Sequence, residues 1–175
     1  MNTVIVTPLF PPDTSAAARY TKELAGRLPD TSLSVIAYGT LPESVSGVEV
    51  YPVSKRQSKI ARATACVRQL FHLQPYIILL QNGPSTELPI LLYSYMQGTK
   101  IIYITSDHGA VQTTGRFGKW LRARILKRVA KHVTPPANAA TYLPIEWLPF
   151  IQPNKSLLEQ QEKWWSEHIT KLTTI

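Results

Sequence analysis

The sequence holds a single cysteine, Cys66. An internal disulfide is therefore excluded, and a reducing compartment is expected. Long apolar runs are missing too, since none approaches the roughly 20 residues a membrane-spanning helix needs. The first ten residues carry no basic cluster ahead of an apolar stretch, so no secretory signal is read and a cytosolic location is expected. His72, His132 and His168 have no Cys, Asp or Glu partners at ligand spacing, which leaves no expected metal site. There is no P-loop, no G-x-S-x-G and no full dinucleotide G-x-G-x-x-G, so no cofactor is expected either. No internal repeat or low-complexity segment is visible.

Acids are scarce, 11 against 19 Lys and Arg, for a formal net charge of +8. The imbalance is local. Between Lys55 and Lys131 stand 13 Lys and Arg against two acids, Glu87 and Asp107. Such a field favours an anionic partner: a phosphorylated substrate, an acidic membrane surface or nucleic acid. At 175 residues and 44% apolar content, the chain is long enough for one packed domain that buries about 70% of its unfolded surface.

Thr3 to Thr7 is a β-branched, apolar run of the kind buried on both faces of a sheet. Pro8 ends it and Pro11-Pro12 hold the exit extended. Asp13, Thr14 or Ser15 can then N-cap a helix on which Ala17, Tyr20, Leu24 and Leu28 share one face. Further strands are read at Leu33–Tyr38, Gly47–Val53, Tyr76–Leu80 and Lys100–Thr105. Between them lie helices at Ser58–Leu73 and Glu87–Gln97. In the first of these, Ile60, Ala63, Thr64, Val67, Leu70 and Phe71 form the predicted core stripe, with Lys59, Arg62 and Arg68 outward. Strands alternating with helices imply an α/β fold with a doubly wound, mainly parallel sheet of order 3-2-1-4-5. Val133-Thr134 reads as an added strand, and Ala137–Leu143 as a short helix. Asn154 to Ile175 reads as one terminal helix carrying Trp164-Trp165.

Gln112 to His132 differs in character. Phe117, Trp120, Leu121, Ile125, Val129 and Val133 fall on one side of a predicted helix. Arg116, Lys119, Arg122, Arg124, Lys127, Arg128 and Lys131 occupy much of the rest. An amphipathic helix of this composition can lie in an anionic membrane interface, and these seven cations are its predicted membrane contacts.

The opening Val-Thr-Pro-Leu-Phe-Pro-Pro-Asp-Thr-Ser-Ala-Ala-Ala-Arg-Tyr, with Glu23-Leu24-Ala25 and Leu28 behind it, resembles the start of the N-terminal domain of GT-B glycosyltransferases. The similar group is the large retaining one, which opens with a strand, F-P-P, small residues, an arginine and a helix. Many of its members carry Gly-Gly where this chain has Ser15 and Ala16. The basic helix, short strand, small-residue turn and Ile145–Pro149 look like the later part of the same domain. The resemblance covers roughly residues 2–150 and implies a domain over 1–153, with 154–175 as a helix packing back on it.

The resemblance further implies a hexosyltransferase of polysaccharide or glycolipid synthesis that binds a glycosyl acceptor, lipid-linked, at the carboxyl ends of the strands. The predicted acceptor-binding residues are Pro12, Ser15, Ala16, Arg19, Asn82 and Gly83. Asp107 and His108, at the end of the fifth strand, are the predicted catalytic pair. In that family a C-terminal domain binds the sugar nucleotide, and this sequence shows none. Transfer would therefore need a partner, a donor-binding GT-B half or a homo-oligomer, because a transferase must hold donor and acceptor together. The expected location is peripheral, on the cytoplasmic face of a membrane. The alternative from another class is a non-catalytic basic Rossmann-like adaptor for nucleic acid. It is disfavoured because no nucleic-acid fold signature accompanies the charge.

Overall fold

Every residue of β1 (Thr3–Thr7), β2 (Leu33–Tyr38) and β4 (Ile77–Gln81) is buried. Runs such as Val4-Ile5-Val6 and Ile77-Ile78-Leu79-Leu80 have no polar face to offer water, so they settle where both faces of a sheet are covered. The protein is described by a computed structural model over residues 2–28, 32–106, 115–136, 138–144 and 155–174. β3 (Glu49–Val53), β5 (Lys100–Ile104) and β6 (Lys131–Val133) complete a six-stranded sheet of order β3-β2-β1-β4-β5-β6. All five pairings are parallel. The predicted order thus stands, with β6 as the added strand.

Among the described residues, four helices lie between these strands: α1 (Ala16–Arg27), α2 (Lys59–Leu73), α3 (Pro84–Met96) and α4 (Arg116–Leu126). The β1–α1–β2 unit steps one way along the sheet, whereas β3–α2–β4 and β4–α3–β5 step the other way. With right-handed crossovers, α1 covers one face while α2 and α3 cover the opposite one. On that second face Val4, Val6, Ile36, Ile78, Leu80, Ile101 and Tyr103 meet Cys66, Leu70, Ile90, Tyr93, Leu121 and Ile125 in one cluster. β1 and β4 lie side by side with Thr3 opposite Ile77 and Val6 opposite Leu80, so their carboxyl ends leave the sheet together. A doubly wound sheet opens its crevice there.

Among the predicted elements whose bounds differ, three have a visible cause, and one core stripe is misassigned. α3 begins at Pro84 rather than Glu87, because proline at the first helical position fixes φ in the helical range and gives up only an N–H that was orphaned anyway. β3 begins at Glu49 because Gly47, at φ 73°, turns the chain just before it. α4 stops at Leu126, short of His132. Beyond it, the Ala130 N–H donates to Ile101 O, and Lys131 lies opposite Ile102 in the parallel ladder of β6 on β5. The ladder takes residues that helical periodicity alone would have kept. In α2 the buried residues are Cys66 and Leu70, while Ile60, predicted to be core, is 80% exposed.

Residues 136–175 form a second compact unit. A 3₁₀ turn, Ala139–Thr141, is capped by Asn138, whose Oδ1 accepts from Ala140 N at 3.0 Å. α5 (Lys155–Thr173) ties to this turn through polar side chains. Gln161 Nε2 donates to Ala140 O and Leu143 O at 2.8 and 2.9 Å, and Trp165 Nε1 donates to Tyr142 O at 2.9 Å. Tryptophan burial drives this packing, since Trp165 is buried with its one polar atom satisfied.

Candidate functional site

The carboxyl-end rim is held by Gln81, the last residue of β4. Its Nε2 donates to Ala17 O at 3.0 Å and to Ser106 Oγ, and its Oε1 accepts from the Thr7 hydroxyl. One buried amide therefore joins the exit of β1, the first turn of α1 and the exit of β5. Beside it, Asn82 N donates to Ile104 O at 2.9 Å, and Asn82 Oδ1 accepts from Ser106 N at 3.0 Å. Gly83 packs against the loop after β1, where a Cβ would stand 2.9 Å from Pro8 Cγ. Both Asn82 and Gly83 are buried. They build the rim at the place where an acceptor contact is predicted for them. Sequence reading places Gln81 in the Gln81-Asn82-Gly83 end of the strand without assigning it this bridging role. Its signal was a polar residue ending a fully apolar strand.

The loop after β1 is more open. Ser15 is the cap of α1, its Oγ accepting from Ala18 N at 3.3 Å, which settles the choice among Asp13, Thr14 and Ser15. Asp13 Oδ1 accepts from Ser15 N at 2.9 Å. The Ser15 hydrogen bonds hold the Asp13 carboxyl below its ordinary pKa, so this helix start is already furnished with a carboxylate. A second phosphate-like anion here would meet repulsion. Pro12 and Ala16 are exposed, and Ser15 and Arg19 half-buried, along this segment. The loop is anchored to its neighbour by Glu43 N donating to Pro11 O at 2.9 Å and by the Lys22–Glu43 ion pair at 2.6 Å. Asp107 and His108, the predicted catalytic pair, lie outside the described residues.

A buried ionic cluster at the start of α3 escaped the sequence reading. The Glu87 side chain is fully buried, and its Oε1 accepts from Gly83 N at 3.2 Å, from the Tyr103 hydroxyl and from Arg122 Nε at 3.3 Å. Arg122 Nε also lies 3.0 Å from the Tyr103 oxygen. Burial, then the neighbouring Glu87, pushes the Tyr103 phenol above its ordinary range. Burial alone would lower the Arg122 pKa, but Tyr103 and Glu87 outweigh it and hold it raised. Arg122, one of the predicted membrane contacts, is thus 13% exposed at its side chain and engaged in this cluster. The charge it neutralises is one of only two acids in the basic region, a signal available in the sequence.

The other cations divide by element. Arg116, Lys119 and Arg124 are exposed on α4, Lys127 and Arg128 follow its last turn, and Lys131 is half-buried on β6. The predicted apolar stripe is split between two surroundings. Leu121 and Ile125 enter the core, whereas Phe117 and Trp120 stack on each other outside it at 5.9 Å. The Arg124 guanidinium lies over Trp120 at 5.5 Å, and that of Arg128 over Tyr95 at 3.7 Å. This face combines exposed aromatic rings with cations. Among the described residues no group of three His, Cys, Asp or Glu is placed to hold a metal, and no helix is long and apolar enough to cross a membrane.

No protein-family model matches the chain, and no curated protein does. Solved structures do. The chain is similar to the UDP-GlcNAc 2-epimerase from Neisseria meningitidis, solved bound to UDP-GlcNAc, at 14% identity and a TM-score of 0.52. That match covers 99% of this chain and 51% of the epimerase chain. It is also similar to the UDP-GlcNAc 2-epimerase from Methanocaldococcus jannaschii, at 11% identity and a TM-score of 0.48, covering 85% of this chain and 42% of that one. The chain thus spans about half the length of the Neisseria enzyme. The shared element is the fold, a Rossmann-like α/β sheet.

Proposed function

We propose that this chain forms the acceptor-side half of a GT-B-type glycosyltransferase. It binds a lipid-linked glycosyl acceptor at the carboxyl rim of the sheet, and transfer from a nucleotide sugar takes place only with a donor-binding half. One observation carries the reading: the strand, F-P-P loop and Ser15-capped helix sit at the β1 end beside β4, where a doubly wound sheet opens its crevice. Similarity in fold to an enzyme solved with UDP-GlcNAc supports a sugar-processing role. In this reading Pro12, Ser15, Ala16 and Arg19 form the open lip of the acceptor site. Asp107 and His108, on the segment after β5, contact the acceptor group that attacks. A carboxylate and an imidazole there can take up the proton released as the new glycosidic oxygen forms. The exposed cations of α4 hold the protein at an anionic bilayer, where a lipid-linked acceptor is found.

Calorimetry with UDP-GlcNAc and with a GDP-sugar tests the division of labour. The isolated chain is expected to bind neither, and to support transfer to a lipid-linked acceptor once a donor-binding half is added. Micromolar binding of either nucleotide sugar by this chain alone would overturn the proposal.

A further inference from the structure

α2 and α3 lie against each other on one face of the sheet, yet they leave apolar side chains uncovered between them. Ile60, Ala63, Thr64 and Val67 of α2 face Leu88, Leu92, Tyr95 and Met96 of α3 across an open trough of about 630 Å³. Most of the stripe that helical periodicity assigned to the core of α2 therefore lines this trough. α3 is apolar on both sides, with Ile90, Leu91 and Tyr93 buried while Leu92, Tyr95 and Met96 are exposed. A helix that is apolar all round belongs in an interior, and a contiguous exposed apolar surface marks a binding site.

The trough does not end at a blank wall. A second cavity of about 340 Å³ adjoins it, sharing Lys59, Ala63 and Leu88, and is completed by Arg62, Pro84, Ser85 and Phe117. Its location is the start of α3, on the carboxyl side of β4. Among the described residues, two cations line it and no acid does. The Nε–H of Arg62 is buried without a hydrogen-bond partner, a rare state for so strong a donor. Adjoining through these shared residues, the two cavities together offer a space with an apolar limb and a cationic head, each of a size that binds small ligands.

We propose that this space seats a phosphate-bearing lipid, its hydrocarbon chain in the trough between α2 and α3 and its phosphate against Arg62 and Lys59. Charge complementarity selects the occupant. A neutral lipid would leave the two cations that line the head unanswered, and a free phosphate would leave the trough wet. Identifying that lipid with the glycosyl acceptor rests on the function proposed above; the chemistry of the seat does not.

The test is calorimetry of the full chain with dodecyl phosphate below its micellar concentration, set beside inorganic phosphate and dodecyl maltoside. One dodecyl phosphate should bind per chain, with both comparison ligands weaker by roughly tenfold or more, since a charge-assisted hydrogen bond and an apolar limb are each lost in turn. Leu92→Glu, at a position 48% exposed and so tolerant of charge, should abolish binding while leaving the circular dichroism spectrum intact. Arg62→Gln should weaken dodecyl phosphate by roughly tenfold without altering the response to the maltoside. Equal affinity for phosphate ester and maltoside, or undiminished binding by Leu92→Glu, would overturn the seat. So would light scattering showing a dimer that Leu92→Glu dissociates, since a second copy would then be the occupant. Binding of dodecyl phosphate without transfer by the assembled enzyme sinks the glycosyltransferase reading and leaves the seat standing. Transfer with an unchanged KM in Leu92→Glu overturns the identification of the seated lipid with the glycosyl acceptor.

Discussion

Gly83 touches Pro8, and through that contact the loops leaving β4 and β1 close on each other. A methyl group at Gly83 would stand 2.9 Å from Pro8 Cγ and 3.3 Å from its Cβ, both in a rigid ring. Gly83→Ala is therefore expected to destabilise the protein by about 1–3 kcal/mol, the range for overpacking a close contact. Gly98→Ala serves as the control, since nothing lies within 4 Å of a Cβ there. Urea unfolding of the two variants should separate them in midpoint at equal slope. Equal midpoints would show that the two loops yield freely.

The buried Glu87–Tyr103–Arg122 cluster makes one arginine of α4 unlike its neighbours. Removing Arg122 leaves the Glu87 carboxyl buried beside Tyr103 with its cation gone, at a cost of about 2–4 kcal/mol. Arg122→Gln should unfold well below the wild type, whereas Arg124→Gln and Lys127→Gln, both at exposed positions, should stay within about 0.5 kcal/mol of it. A thermal melt of the three variants decides the matter. Equal melting temperatures would mean that the cluster contributes nothing.

The same cluster shows where the sequence was legible and where it was not. Sheet order followed from alternation of apolar runs with helices, because each βαβ unit is local and right-handed. The cap at Ser15 and the break at Pro8 follow from the chemistry of single residues. Gln81, Glu87 and Arg122 carry only faint signals in the sequence for the opposite reason: their roles depend on Thr7, Ser106 and Tyr103, which only the folded sheet brings near. Periodicity also misled in α2. It identifies an apolar face but not what covers it, so Ile60 and Val67 read as core although they line an open trough. Asn82 was placed correctly at the rim, yet its burial could not be foreseen from the turn-like Asn-Gly pair.

Cys66 lies wholly inside the cluster beneath α2, and burial pushes its thiol up to about 12. Only the thiolate reacts, so the native protein should resist iodoacetamide at pH 8 and label at a rate set by unfolding. Adding urea below the midpoint should accelerate labelling in proportion to the unfolded fraction. Rapid labelling in buffer alone would contradict the buried position.

His168 of α5 stacks on Trp164 at 4.4 Å, and burial, then Lys171, lowers its pKa to about 4. The folded state thus prefers the neutral ring, while the unfolded chain binds a proton near pH 6.5. Between those values the unfolded state holds more protons, so stability is full above pH 6.5 and falls as pH drops toward 4. The melting temperature of the unit carrying α5 should fall by about 3–6 °C from pH 7 to pH 5. His168→Gln should flatten that slope even if it lowers the plateau. A slope unchanged in His168→Gln would assign the pH dependence to other groups.

Membrane attachment is the prediction that the described surface reshapes most. A continuous amphipathic helix over 116–131 is ruled out by β6, and Arg122 is engaged in its ion pair. What remains is a shorter face on which Phe117 and Trp120 are exposed beside Arg116, Lys119, Arg124 and Lys127. Each cation near an anionic leaflet contributes about 1 kcal/mol, and the stacked rings can enter the interface where aromatic side chains favour the headgroup layer. Changing those four cations to Gln should weaken co-sedimentation with phosphatidylserine-containing vesicles by up to roughly a thousandfold, with the fold retained because none of the four is buried. Trp120→Ala should weaken it less and should remove any blue shift of the tryptophan emission that accompanies binding. Salt should release the wild type, since the attraction is screened within a Debye length. Equal binding to neutral phosphatidylcholine vesicles, or binding by the four-Gln variant that matches the wild type, would remove this face from the membrane.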